Sequence, residues 1–208
     1  TELVLARLMA IVAAFIVALM PVHAFVSTWL GTAVGPLLFW KSWKEILLLA
    51  VAPAVIWFAL LRPDVARTIW TRPVNRFIVL YVFLHLGLSF LSSASSEAVI
   101  AGLMFNLRFL AIFVLVQVIV EASPKLARYW RERAPRWLLW AAIFLGVLAI
   151  LQVFVLPKDF LVQFGYSKDT TISPYILVDE NLNAVRAFAT TRGPNALGAF
   201  LLLPMAVA

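Results

Sequence analysis

The sequence predicts an all-α, polytopic transmembrane bundle, and its composition, its apolar runs and the placement of its basic residues all favour that class. Hydrophobic residues make up 64% of the 208 residues and charged residues only 13%, and the mean hydropathy is +0.99. Soluble domains contain about 45–50% apolar and about 25% charged residues. This chain therefore needs a bilayer as its solvent, which excludes a water-soluble enzyme, a secreted domain and a disordered tail.

Five apolar runs have the roughly 17–25 residues that an α-helical span requires. They are Leu3–Met20, Lys44–Leu61, Asn75–Leu91, Ala98–Val120 and Trp137–Leu156. A sixth run begins at Pro194 and is still apolar at Ala208, although a helix over 194–208 would cover only about 22 Å. We expect a single transmembrane domain with about six spans, forming the N-terminal portion of a longer protein.

The basic residues predict the orientation of these spans. The connection from Arg62 to Arg76 carries four arginines against one aspartate, and that from Glu121 to Arg136 carries five cations against two glutamates. Cytoplasmic loops are enriched in lysine and arginine. This places the N-terminus in the cytoplasm, and the serine-rich turn 92–97 and the long segment 157–193 outside.

Residues 21–43 do not fit a simple span. Only Pro21 separates them from the first run, whereas a helical hairpin needs a few linking residues. Gly31, Gly35 and Pro36 are also expected to break a helix. We expect an interfacial or re-entrant segment on the outer side. The alternative is a seventh span, which would place the N-terminus outside.

Arg108 lies about eleven residues into the fourth run. A charge at that depth costs several kcal/mol unless it is paired or faces water, so it is a functional candidate. The alternative is that Arg108 bonds a carboxylate or carbonyl groups on a neighbouring helix and locks the packing. His85, in the third run, is expected to be a core residue. Two separated histidines without any cysteine give no metal signature.

Lys41, Lys44 and Glu45 form a charged patch together with Trp40 and Trp43 at the predicted outer interface. One interpretation is an aromatic belt with its lysines at phosphate level. The other is that these lysines, which run against the positive-inside trend, attract the headgroup of a phosphorylated lipid.

The external segment 157–193 is the only substantial polar region, and it ends at a predicted helix start. Pro194 suits the first turn of a helix, where its missing N–H is not needed. The positive end of that helix would lie beside Arg186 and Arg192, an arrangement that favours an anion such as phosphate. The alternative is a helix cap with two surface arginines.

The stretch from Arg186 to Leu201 resembles the signature of the O-antigen ligase and O-antigen polymerase family of bacterial membrane glycosyltransferases. That signature has an arginine, a Gly-Thr-aromatic stretch, and then Pro-Asn and a small residue opening a transmembrane helix. In this chain Ala189 stands where glycine is common and Thr191 where an aromatic residue is common. The Lys44-Glu45 pair that opens the second run and the arginine-bearing fourth run also resemble the family.

This resemblance implies a multi-span enzyme of the GT-C type, with about twelve spans, in the bacterial cytoplasmic (inner) membrane. Such enzymes move a glycan from undecaprenyl pyrophosphate to an acceptor at the outer face. The acceptor is lipid A-core in ligases and another lipid-linked repeat in polymerases. The resemblance implies no cofactor, no metal and no nucleic-acid partner; the partners are the lipid-linked glycan, the acceptor and membrane lipids.

The resemblance also implies roles for particular residues. Arg186 is the expected ligand of the lipid pyrophosphate, with Arg192, Arg108 and Asn195 as further binding residues. Lys41 and Lys44 are expected headgroup contacts. The general-base histidine of the family is expected beyond residue 208.

Two other classes of function stay open. In a polysaccharide or lipid transporter or flippase, Arg108 and His85 would line the substrate path; that class predicts internal repeats, and none is visible in the sequence. A non-catalytic subunit of a polysaccharide assembly complex would tolerate the loss of the external arginines.

Overall fold

The computed structural model describes residues 2–179 and 181–207. Helix accounts for 79% of it, and five helical stretches are long and apolar enough to cross a membrane. The described chain is therefore a helical, membrane-embedded protein, as its composition predicts. Glu180, in the predicted external segment, and Ala208, at the end of the sixth apolar run, lie outside the described residues.

The elements follow one another with short connections through most of the chain. They are α1 (Glu2–Leu19), a 3₁₀ turn (Met20–Val22), α2 (His23–Ala33), α3 (Leu37–Lys41), α4 (Trp43–Leu61), α5 (Pro63–Thr71), α6 (Pro73–Leu91), α7 (Ser96–Ala122), α8 (Pro124–Phe154), a second 3₁₀ turn (Phe160–Phe164), β1 (Leu177–Val178), β2 (Asn181–Val185) and α9 (Pro194–Val207). The five full-length apolar runs overlap α1, α4, α6, α7 and α8. The sixth run begins with α9 at Pro194.

Helix starts carry residues that suit a first turn. Proline is the first residue of α5, α6, α8 and α9, where its missing N–H would have had no intrahelical partner. Ser95 caps α7, because its hydroxyl oxygen accepts a hydrogen bond from the Ala98 N–H at 3.3 Å. The start of α9 at Pro194 is the one that the sequence predicts.

The chain after Pro21 is more helical than its sequence predicts. Pro21 lies in the first 3₁₀ turn, and α2 follows without a break and continues to Ala33. The expectation that Gly31 breaks a helix is wrong, since Gly31 lies inside α2. It has a packing role instead, because a Cβ at Gly31 would collide with Leu37 of α3.

The turn between α2 and α3 is made by Gly35, whose φ of +65° lies in the left-handed region that favours glycine. Pro36 follows it and precedes the first residue of α3. The expected break at Gly35 and Pro36 is therefore present. The interfacial or re-entrant placement of residues 21–43 stays a prediction.

Both basic connections are largely helical as well. The residues after Arg62 form α5, in which Val65 and Ile69 are buried one turn apart and Arg67 is exposed. Helix α8 carries the basic residues of the second predicted connection together with the fifth apolar run. Arginine and lysine are good helix formers, so hydropathy marks the apolar part of a helix and not its end.

The chain divides into two compact units. The first contains the N-terminal residues up to Phe15 together with Lys44–Tyr129, and the second contains Ile16–Trp43 together with the residues from Trp130 onward. Each unit is thus assembled from two separate stretches of sequence.

In the first unit, a buried polar contact joins α6 to α7. Asn75 and Gln117 exchange two amide hydrogen bonds of 3.0 and 2.8 Å, and Asn75 Nδ2 also donates to the Ile69 carbonyl of α5 at 2.6 Å. Arg72 forms an ion pair with Glu121 beside them. Because both amides are buried and fully engaged, they fix the register of α5, α6 and α7.

In the second unit, the segment predicted as an external loop is folded around a small aromatic core. Leu161, Tyr166 and Phe188 are buried, and Phe25 of α2 packs against them. The strands β1 and β2 pair antiparallel, with Leu177 opposite Val185. A second cluster packs the start of α9 onto α8 through Leu197 and Leu145.

Candidate functional site

The structure assigns the predicted binding residues to both units. Four of them lie in the second unit, on α3 or around the start of α9, and two lie in the first unit, on α4 and α7. The first group is Lys41, Arg186, Arg192 and Asn195, and the second is Lys44 and Arg108.

The loop of residues 188–193 leads directly into α9 and is hydrogen-bonded to α8. Gln152 of α8 is buried, and its Oε1 accepts hydrogen bonds from the N–H groups of Phe188 at 3.1 Å and Ala189 at 2.9 Å. One side-chain oxygen therefore satisfies two consecutive backbone donors. This fixes the direction in which the loop approaches α9.

Ala189 has a φ of +48°, in the left-handed region that non-glycine residues rarely adopt. An L-residue there costs roughly 1–2 kcal/mol because its Cβ crowds the backbone. Ala189 is also buried, at 1% exposure. The loop therefore requires, at this position, a backbone conformation that suits glycine.

Two threonines complete the hydrogen bonding of the loop. The Thr190 hydroxyl donates to the Pro21 carbonyl at 3.1 Å, and the Tyr166 hydroxyl donates to the Thr190 carbonyl at 3.4 Å. The Thr191 hydroxyl bonds the Phe188 carbonyl at 2.7 Å. Burial raises the pKa of the Tyr166 phenol, which remains a neutral donor. The loop is thus a rigid, buried platform.

Arg192 is the exposed residue of this platform, two positions before the first residue of α9. Its side chain makes no hydrogen bond or ion pair with another described residue, yet its charge acts on Lys41. Burial lowers the pKa of Lys41 below its ordinary value, and the nearby Arg192 guanidinium lowers that pKa further. The structure therefore brings two cations together beside the start of α9.

Lys41 is held in place by a tight turn. Its Nζ donates to the Thr170 carbonyl. The Thr170 hydroxyl in turn donates to the Gly165 carbonyl at 2.6 Å and accepts the Ser167 N–H at 2.9 Å. One ammonium donor is used in this way, and an ammonium group has three. Lys41 can therefore hold the turn and still face an anion.

Arg186 and Asn195 are exposed. The Arg186 backbone N–H donates to the Ile176 carbonyl at 2.8 Å and closes the β-hairpin. Neither side chain has a hydrogen bond or ion pair to another residue in the described part of the chain. The structure thus joins Arg192 to Lys41, and the predicted roles of Arg186 and Asn195 stay predictions.

In the first unit, Arg108 has the partner that the packing interpretation requires. Its Nη1 donates to Glu45 Oε1 of α4 at 2.8 Å, and its guanidinium carbon lies 4.5 Å from the centre of the Phe105 ring. The Arg108 and Glu45 side chains are 26% and 10% exposed. In a low-dielectric setting the carboxylate and the aromatic face both stabilise the positive charge of Arg108.

Lys44 completes this group of charges. It is only 1% exposed, and both Glu45 and Arg108 act on it electrostatically. Its burial differs from the expectation of a lysine at the level of lipid phosphates. The sequence contained the signal for the pair, since a charge within a span needs a counter-charge, but it did not identify Glu45 as the partner.

The two histidines are engaged within the fold. His85 Nδ1 lies 3.1 Å from the Tyr81 carbonyl one turn earlier, and His23 Nδ1 accepts a hydrogen bond from the Trp43 indole at 2.8 Å. Among the described residues, no group of three or more His, Cys, Asp or Glu side chains could hold a metal ion.

Sequence reasoning missed Gln152, Tyr166 and Thr190. Gln152 had the clearest signal, because a polar residue inside an apolar helix needs a partner. Neither Tyr166 nor Thr190 stands out in a polar segment, since their role depends on contacts that are distant along the chain.

The fold and the site define a helical membrane protein in which the charges of Lys41 and Arg192 act on each other beside a buried loop at the start of a helix. No family model matches the chain, and no curated protein and no solved structure matches it.

Proposed function

We propose that the protein is a membrane glycosyltransferase of the O-antigen ligase or polymerase kind. It moves a glycan from undecaprenyl pyrophosphate to lipid A-core, another lipid-linked repeat or a similar acceptor at the outer face of the bacterial inner membrane. In this proposal the described chain has about six spans, its N-terminus is cytoplasmic and the segment 157–193 is external.

The observation that carries the proposal is the convergence of Lys41 and Arg192 beside α9. Two cations repel each other, so bringing them together on a buried, hydrogen-bonded framework is favourable when an anion lies between them. The first N–H groups of α9 add a positive dipole end to the same place. A pyrophosphate group matches all three elements.

The backbone of the loop supports the family resemblance independently. The family commonly has glycine where this chain has Ala189, and Ala189 has the positive φ that favours glycine. A glycine at this position, as in the family signature, would adopt the same φ without strain. Thr191, which replaces an aromatic residue, is buried and bonded within the loop.

The chemistry needs an activated acceptor hydroxyl and a stabilised leaving group. Lys41, Arg192 and the N-terminus of α9 supply the second requirement, because they neutralise the charge of the departing pyrophosphate. A guanidinium group binds two phosphate oxygens at once. The acceptor base is not assigned to any of these residues.

Glycan transfer by the intact protein in membranes tests this proposal. Lys41→Ala and Arg192→Ala should each slow transfer by about tenfold to a hundredfold, since a charge-assisted bond contributes about 1.5–3 kcal/mol and each 1.4 kcal/mol is a factor of ten. Because both cations hold the same anion, the double variant should lose much less than the product of the two single losses.

Arg67→Ala is the matched control, because Arg67 is an exposed arginine on α5 at the opposite predicted side. Arg186→Ala tests the role that the resemblance implies: if Arg186 binds the same pyrophosphate, its loss and that of Lys41 should together be smaller than the product of the two single losses. Unaltered transfer in both Lys41→Ala and Arg192→Ala would refute the pyrophosphate site. Losses that multiply fully would show that the two cations do not share one anion.

A transporter of polysaccharide or lipid is the second candidate, and the buried charges of Lys44, Glu45 and Arg108 favour it. Charged residues within apolar helices commonly mark a substrate path. A transporter would move the lipid-linked glycan across vesicle membranes without altering its bond to pyrophosphate. Recovery of an unchanged donor after transport would therefore support this candidate over the glycosyltransferase.

A further inference from the structure

Gln152 of α8 holds the peptide unit that joins Phe188 to Ala189. Its Oε1 accepts the N–H of this unit at 2.9 Å and also the Phe188 N–H at 3.1 Å. Gln152 is only 7% exposed, so water competes little for its oxygen. One side chain, in the apolar part of α8, therefore sets the direction of this N–H group.

The carbonyl end of the same peptide unit leads toward Arg192. The Phe188 carbonyl accepts the Thr191 N–H at 2.9 Å, and the Thr191 hydroxyl also donates to it at 2.7 Å. Because a trans peptide unit is planar, its C=O points opposite to its N–H. A change at Gln152 that turns the N–H therefore displaces Thr191, the residue that precedes Arg192.

The residue that follows Arg192 is fixed by α9. The Gly193 carbonyl accepts the Leu197 N–H at 3.1 Å, and its oxygen lies 3.0 Å from the Thr191 hydroxyl oxygen. Since the first turn of α9 holds Gly193 by itself, the part of the loop that depends on Gln152 is the part before Arg192. All of these residues belong to the second unit.

Ala189 gives the support from Gln152 a physical reason. Its φ of +48° is unfavourable for an L-residue, and the two hydrogen bonds to Gln152 offset part of that cost. Without them, Ala189 can relax toward an ordinary backbone conformation. The backbone that leads to Arg192 would then change direction.

We propose that Gln152 is a positioning residue, which acts through the loop backbone to direct Arg192 toward the anion that Arg192 shares with Lys41. Gln152 touches neither the anion nor the glycan. This role rests on the proposed function, because the shared anion is the pyrophosphate of that proposal. It assigns the alignment of the cation pair to a residue within an apolar helix.

Binding of inorganic pyrophosphate to the full chain in detergent, measured by isothermal titration calorimetry, tests this role. Gln152→Met keeps the length and the helix propensity of the side chain and removes its acceptor oxygen. It should weaken binding about tenfold or more, as Arg192→Ala should, because a charge-assisted bond to phosphate is lost. In the Arg192→Ala background, Gln152→Met should cause little further loss. Undiminished binding by Gln152→Met would overturn the role.

Two other glutamines serve as matched controls for the same change. Gln163→Met alters an exposed glutamine of the second unit that has no hydrogen bond to another described residue. Gln117→Met breaks the buried amide pair with Asn75 in the first unit and should lower stability. Both should bind pyrophosphate as the unmodified chain does. Equally weakened binding by Gln117→Met would assign the effect of Gln152→Met to general destabilisation and overturn the role.

The titration of Lys41 gives a second readout, which needs no anion. In the full chain with isotope-labelled lysine, nuclear magnetic resonance follows the pKa of Lys41, which the nearby Arg192 lowers. Arg192→Ala should raise this pKa in the unmodified chain and raise it much less in the Gln152→Met background, where Arg192 is already displaced. An equal rise in both backgrounds would overturn the role of Gln152 even if pyrophosphate binds.

The two readouts separate this role from the proposed function. If the chain does not bind pyrophosphate but the coupling of Arg192 to Lys41 depends on Gln152, the proposed anion is wrong and the positioning role holds. Thr191→Val keeps the test decisive if Gln152→Met does not fold, because it removes only the hydroxyl beside Arg192. It should weaken the coupling in part, and an undiminished coupling would overturn the hydrogen-bonded path from Gln152.

Discussion

Replacing either member of the ion pair between Arg108 and Glu45 should destabilise the first unit, and by different amounts. Arg108→Leu leaves Glu45 buried, with Lys44 still close enough to act on it. Glu45→Leu instead removes the acid that acts on Lys44 and pairs with the part-buried Arg108, and leaves the repulsion between these two cations. The loss of the acid should therefore be the more harmful substitution.

The geometry sets the magnitude. At 2.8 Å and an effective dielectric constant of about 20, the attraction is about 6 kcal/mol before desolvation is subtracted. Breaking a fully buried pair costs about 3–5 kcal/mol, and the 26% exposure of Arg108 reduces that figure. We expect about 2 kcal/mol for Arg108→Leu and about 3–4 kcal/mol for Glu45→Leu. The double variant should lose less than the sum, by at least about 1.5 kcal/mol.

The free energy of unfolding of the full chain in mixed micelles, followed by circular dichroism during titration with a denaturing detergent, measures these losses. Arg76→Leu is the control, because Arg76 is exposed on α6 in the same unit and has no hydrogen bond or ion pair to another described residue. Additive losses would show that the pair contributes nothing as a pair. A larger loss for Arg108→Leu than for Glu45→Leu would refute the role given to Lys44.

Three further results are expected. Cysteine at exposed Lys168 should react with an impermeant maleimide from outside intact cells and cysteine at exposed Glu132 should not; the reverse pattern would invert the proposed orientation. Ala189→Gly should stabilise the chain by about 0.5–1 kcal/mol, because relief of the positive φ exceeds the extra entropy of glycine in the unfolded state, and a loss of stability would contradict the strain. Arg62 lowers the pKa of Asp64 to about 2 from 3.8, so the stability that the carboxylate adds is present above about pH 4 and is lost as the pH falls toward 2. Asp64→Asn should remove this dependence, and an Asp64 titration near pH 4 in a proton–chemical-shift experiment would count against the contact.

The apolar helices could be predicted from the sequence because each of them must match the thickness of a bilayer. The start of α9 was also readable, since Pro194 suits a first turn and follows a polar stretch. The need for a partner at Arg108 followed from the cost of an isolated charge in an apolar span. Each of these features depends on residues that are close together in the sequence, so it can be predicted from the sequence alone.

The remaining features depend on contacts that no local pattern encodes. Lys41 and Arg192 are distant in sequence, and only the packing of the second unit brings their charges together. Gly31 was read as a helix breaker because its intrinsic helix propensity is low, whereas its lack of a side chain serves the approach of Leu37. Hydropathy does not predict that α8 begins at Pro124, because its lysine and arginine residues are polar but also form helix readily.

The hydrogen bond between Thr190 and Pro21 joins residues that are 169 positions apart, and this separation sets an order of assembly during synthesis. Ribosomes add about 5–20 residues per second, so the Pro21 carbonyl waits roughly 8–34 s for its donor to be made. The first unit needs nothing beyond Tyr129 and can close well before then. In the second unit, α2 and α3 can pack on each other early, but Ile16–Trp43 meets the residues from Trp130 onward only late in synthesis, so the segment that bonds the loop before α9 is the last to gain its partners.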